Sequence, residues 1–147
     1  MERFGYSIFC DDIRNEIGGK LSFVGCYNAI MFVSAQFPLT LPKFCIHMHI
    51  LSSADRPFRS IIARCYIPNE EDPVVEDAIR TPDAVAQVSL LADIERNIRE
   101  PRYIAASASL ILAPLRIQAP GLIRARALID GGPEEMKLGS LRIESAR

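Results

Sequence analysis

His47 and His49 are the only histidines in the chain, and with Cys45 they spell C-x-H-x-H. Residues two apart on a β-strand stand about 7 Å apart on the same side of it. Two imidazoles so placed, with a third ligand from a neighbouring strand, are an arrangement that holds a divalent metal. The plainer reading is an outer strand face carrying ordinary polar residues. The segment therefore predicts either a metal or small-ligand face at Cys45, His47 and His49, or no chemistry there.

A second group is basic. Arg124, Arg126 and Arg142, with Arg116 nearby in sequence, fall in strand-like segments near the C-terminus. Guanidinium stripes hold phosphates or carboxylates in bidentate fashion. No aromatic residue is interleaved with them to stack bases, which argues against single-stranded nucleic acid. Their natural complement is acidic. Residues 68–100 carry 3 basic and 9 acidic groups, including Glu70, Glu71, Asp72, Glu76 and Asp77. The flanking segments are mildly basic: 7 against 5 over residues 1–67, and 7 against 4 over residues 101–147. This asymmetry predicts an interaction surface in which the arginine stripe meets an acidic segment of a partner or of another copy. Such an association weakens steeply with salt. The alternative is a solvated face neutralised by neighbours such as Glu144.

Asp11 and Asp12 are adjacent on a predicted strand, so their side chains point to opposite faces and cannot work as an acid–base pair. They are expected to cap a turn or pair with Arg14, and a weak cation site with Glu16 is the lesser reading. Phosphate loops, nucleophile elbows and H-E-x-x-H are absent. Gly18-Gly19 lies between two strands, so it is a turn rather than a dinucleotide loop. No catalytic residue and no cofactor are predicted.

The elements that must position these residues are mostly strands. Period-two patterning marks strands at residues 6–13, 21–27, 29–33, 44–51, 58–67, 103–112, 122–130 and 138–145. Over residues 44–51, Phe44, Ile46, Met48 and Ile50 make one face, and Cys45, His47, His49 and Leu51 the other. Pro38 and Pro42 bracket a loop. The acidic stretch 68–81 reads as an exposed loop. Thr81-Pro82 is a helix-start signal, and Val85, Val88, Leu91, Ile94 and Ile98 recur at helical spacing, so one helix is predicted over about residues 82–98. Eight strands with frequent turns predict an antiparallel, Ig-like β-sandwich, with the helix between its fifth and sixth strands.

The 147 residues, 49% hydrophobic and 24% charged, suit one globular domain. Cys10, Cys26, Cys45 and Cys65 lack C-x-x-C spacing and are expected to be free thiols. No secretion signal and no apolar run of membrane-spanning length is seen, so the expected location is the cytoplasm, away from membranes.

Several stretches carry a resemblance together. Phe9-Cys10-Asp11-Asp12-Ile13-Arg14 runs into Gly18-Gly19-Lys20-Leu21-Ser22-Phe23-Val24-Gly25-Cys26-Tyr27. Phe37-Pro38-Leu39-Thr40-Leu41-Pro42-Lys43 and Asp55-Arg56-Pro57-Phe58 follow, then Pro120-Gly121 and Leu138-Gly139-Ser140-Leu141-Arg142-Ile143. The chain resembles a bacterial family of uncharacterised β-sandwich proteins with an F-C-D-D-I-R-x-E-x-G-G-K-x-S-x-x-G-x-Y pattern. The resemblance implies a bacterial, cytoplasmic β-sandwich and no activity. The expected function is a non-enzymatic protein-interaction or assembly module, with self-association through sheet edges as one form of it. A small-ligand or metal-binding protein using the His47 and His49 face is the alternative.

Overall fold

Strand β5 (Phe44–Ser53) sets the pattern of the molecule. Phe44, Ile46, Met48 and Ile50 are fully buried on its inner side, while Cys45 and His47 are buried on the other. The computed structural model describes residues 3–81, 85–86 and 103–146. Around β5 lie β1 (Phe4–Asn15), β2 (Leu21–Cys26) and β8 (Tyr103–Leu112), in the order β2-β1-β5-β8. A five-stranded sheet has the order β3-β11-β10-β6-β7, from β3 (Ile30–Val33), β6 (Ile61–Tyr66), β7 (Val75–Ile79), β10 (Gly121–Ile129) and β11 (Met136–Ser145). The pairs are antiparallel except β3 with β11, which is parallel. A short ladder joins β4 (Leu39–Leu41) to β9 (Leu115–Ile117).

The chain is mainly β. Both larger sheets bury their inner faces in one core, with Phe9, Phe44, Ile46, Met48 and Leu110 from one meeting Ile61, Ala63, Ile123, Ala125 and Leu141 from the other. The face of β5 that alternation assigns to Phe44, Ile46, Met48 and Ile50 is the one turned to this core. All eight predicted strands are present, and among the described residues three further strands occur. β4 is a three-residue strand inside the segment bracketed by Pro38 and Pro42. β9 is equally short. β7 corrects the reading of residues 68–81 as a loop: Glu76 and Asp77 lie on a strand at the sheet edge, where charge is tolerated because one side meets water. The predicted helix lies outside the described residues apart from Val85 and Ala86, which are helical. Among the described residues no helix is long and apolar enough to cross a membrane.

One glycine is dictated by packing. A Cβ on Gly5 would sit 2.6 Å from the His49 carbonyl oxygen and 2.7 Å from Leu138 Cδ2. The first contact is with backbone and cannot swing away. Gly5→Ala is therefore expected to cost about 1–3 kcal/mol, the usual range for overpacking, read as a lower denaturation midpoint with unchanged m-value.

Candidate functional site

A groove in the surface arises from a mismatch of strand lengths. β1 has twelve residues, but β2 pairs with it only over residues 10–15. The chain then leaves β2 at Tyr27, crosses to the other sheet and becomes β3, which joins β11 only from Arg142 onward. Among the described residues, 4–9 of β1 and 136–141 of β11 are thus left with no strand partner on that side. Between them lies a groove of about 570 Å³ lined by Gly5, Ser7, Phe9, Tyr27, Leu138 and Gly139, among others.

The direction of the free backbone groups follows from one bond. Tyr27 N–H donates to the Phe9 carbonyl at 2.9 Å, so Phe9 turns its backbone groups away from β5. Alternation along the strand gives Gly5 and Ser7 the same direction, while Tyr6 and Ile8 face β5. The Ser7 hydroxyl beside the groove is shut off from solvent and has no hydrogen-bond partner among the described residues. On the outer side of the same edge Phe4 and Tyr6 are 52% and 47% exposed.

The predicted histidine face is the outer side of the four-stranded sheet. His47 is buried there, with Nδ1 3.0 Å from Ser109 Oγ and its ring 5.1 Å from that of Phe23. His49 lies beside Tyr6, ring centroids 5.3 Å apart. Cys45 is buried with Cys10 and Ile13 in a small second cluster, and its thiol donates to the Asp11 carbonyl at 3.7 Å. Cys45, His47 and His49 share a face as expected, but no group of three His, Cys, Asp or Glu side chains among the described residues is placed to hold a metal.

Burial, with a smaller contribution from His49, holds the His47 pKa below its ordinary value of 6.5. The unfolded chain therefore binds a proton at His47 more readily than the folded one. Its contribution to stability is full above pH 6.5 and is lost as pH falls below that value. Stability is expected to decline between pH 7 and 5, and His47→Gln should flatten that decline in denaturation curves measured across the range.

The arginines occupy the outer side of the five-stranded sheet. Arg64 is neutralised, with Glu76 at 2.7 Å and Glu135 at 3.3 Å, and Tyr66 Oη donates to Glu135 at 2.8 Å. Arg142 pairs with Glu144 at 3.3 Å. Arg124 stacks over the Tyr66 ring at 4.9 Å and donates to the Glu70 carbonyl at 3.4 Å. Arg126 donates to the Ala125 and Gly139 carbonyls. Neither Arg124 nor Arg126 has a carboxylate partner among the described residues. Burial, then the neighbouring Arg124, lowers the Arg126 pKa. Glu70 thus approaches the stripe within one chain, through its backbone, while Glu71 and Asp72 are exposed. Arg116 lies apart, on β9.

Asp12 joins Lys43 at 2.5 Å and lies 3.8 Å from Arg14, so the expected ion pair forms with a second cation added. The Lys43 contact holds the Asp12 carboxyl below the usual range. Asp11 accepts from the Tyr27 hydroxyl. Burial, reinforced by Asp11, pushes the Tyr27 hydroxyl well above its ordinary pKa.

Sequence reasoning missed the groove, because neither edge is marked by a motif. It also missed a row of thiols: Cys26, Cys10 and Cys45 stand directly opposite one another across β2, β1 and β5. Only the register of three strands brings them together.

No curated protein and no solved structure matches the chain. A model of a family of unknown function, DUF6941, matches residues 5–143. With nearly the whole chain inside that match, the protein belongs to the DUF6941 family.

Proposed function

We propose that this chain is a non-enzymatic protein-interaction module whose free β1 edge takes an extended segment of a partner polypeptide as an added strand. The observation that carries this is the groove itself: two strand edges without neighbours among the described residues border it, and the backbone groups of Gly5 and Ser7 point toward it. An exposed edge is a template for another chain. In strand addition, main-chain hydrogen bonds give affinity and the neighbouring pocket gives specificity. A second copy is the competing occupant.

An Ig-like sandwich is the fold reading that accompanies this. Its support is the order of the strands: β11-β10-β6-β7 follows the G-F-C-C′ arrangement of variable-type Ig sheets, and the other sheet faces it across one core. The bacterial cytoplasm is the location we propose. The resemblance to a bacterial family and four free cysteines, three of them in register, support it.

Selection of displayed random peptides on immobilised protein tests the function. Peptides of alternating apolar pattern that compete with one another and bind a monomer support it. Sedimentation showing a dimer that loses peptide binding would put a second copy on the edge. Recovery of no competing peptides from a monomeric protein would overturn the reading.

A further inference from the structure

Beyond that reading, we infer that Cys26 and Cys10 form a thiol-oxidation site, at which a low-molecular-weight disulfide is reduced and a cross-strand disulfide is made between β2 and β1. Cys10 is paired directly with Cys26 in the ladder. The bond from Tyr27 N–H to the Phe9 carbonyl flanks this pair, which makes it a non-hydrogen-bonded one. Such pairs bring their Cα atoms to about 4.5 Å and their side chains closest together. A disulfide needs Cα atoms roughly 4.4–6.8 Å apart. The pair of Cys10 with Cys45 alternates with it and is the wider, hydrogen-bonded kind, about 5.5 Å between Cα atoms.

Exposure divides the roles. Cys26 is exposed, whereas Cys10 and Cys45 are buried. Burial, with smaller contributions from Cys45 and Cys26, pushes the Cys10 thiol up to about 11. Cys10 is therefore a protonated thiol at rest, and the oxidant meets Cys26 first. The Cys26 thiolate, its proton released to water, attacks one sulfur of R–S–S–R. The S–S bond breaks, Cys26 carries –S–R, and RS⁻ departs. Cys10 then attacks the Cys26 sulfur, its proton passing to the second departing RS⁻. Two cysteines are oxidised and one small disulfide is reduced to two thiols. The product ties β2 to β1 at the end of the groove, which Cys26 also lines.

The experiment exposes untagged full-length protein to oxidised glutathione and maps its peptides without reduction. Wild-type protein is expected to yield a peptide pair linked through Cys10 and Cys26, with no glutathione retained. Cys10→Ala is expected to stop at glutathione on Cys26, and Cys26→Ser to leave Cys10 and Cys45 as thiols. Cys65→Ser, on the other sheet, should behave as wild type. Wild-type protein that keeps glutathione on Cys26 while Cys10 stays free, or that links to a second molecule, or links Cys10 to Cys45, would overturn the assignment. The wild-type map decides this even if a variant fails to fold.

Discussion

Phe44→Ala is expected to lower folding stability by roughly 3–5 kcal/mol, the range for deleting a fully buried phenyl ring. Phe44 has no exposed surface. Its ring lies 6.2 Å from that of Phe9 on β1 and 6.0 Å from that of Tyr27 in the crossover. Those two residues cannot both collapse into the space, because Phe9 is held in the β1 ladder and Tyr27 is tied to Asp11 and to the Phe9 carbonyl. A cavity therefore remains, and the cost falls at the upper end of the range. Domains have only about 5–15 kcal/mol to lose, so the variant should be largely unfolded in mild denaturant. Urea titration followed by circular dichroism reads the effect. A loss below about 1.5 kcal/mol would mean that the ring is not packed as described.

Ser7→Pro is expected to abolish strand addition, weakening a selected peptide at least about tenfold, or 1.4 kcal/mol, while the domain stays folded. Proline removes one backbone donor and is tolerated on an edge strand when the lost N–H faces outward. Ser7 has that orientation, so the expected stability change is about 1 kcal/mol or less. Ile8→Pro is the control. Ile8 stands opposite His47 with its backbone groups directed at β5, so proline there leaves a ladder carbonyl unpaired, at about 1–3 kcal/mol. Fluorescence anisotropy with a labelled peptide and parallel melting curves separate the two. Ser7→Pro protein that binds as tightly as wild type would place the peptide elsewhere.

Much of the fold is legible in the sequence because one side of each central strand is buried. Phe44, Ile46, Met48 and Ile50 announce β5, and Ile123, Ala125 and Ala127 announce β10, by alternation alone. β7 escapes because edge strands carry charge: Glu76 reads as loop, yet it is the counter-ion of Arg64 across the ladder. β4 and β9 escape because three residues are too few for a period to show. The arginine stripe is legible, since Arg124 and Arg126 alternate with buried alanines, and so is the Glu144 partner of Arg142, but the role of Glu135 is not: it serves Arg64 and Tyr66, which are distant in sequence. The thiol row and the open edge are properties of register. Nothing local in Cys10, Cys26 or Cys45 says that they face one another, and nothing in residues 4–9 says that β2 stops short of them.

Residue-by-residue amide exchange along β1 tests the open edge most directly. In the free protein Tyr6 and Ile8, whose N–H groups face β5, should exchange slowly, and Gly5 and Ser7 quickly. A bound peptide should slow Gly5 and Ser7 and leave Tyr6 and Ile8 as they were. Uniform protection of all four in the free monomer, or rapid exchange at Gly5 and Ser7 with peptide bound, would contradict the account.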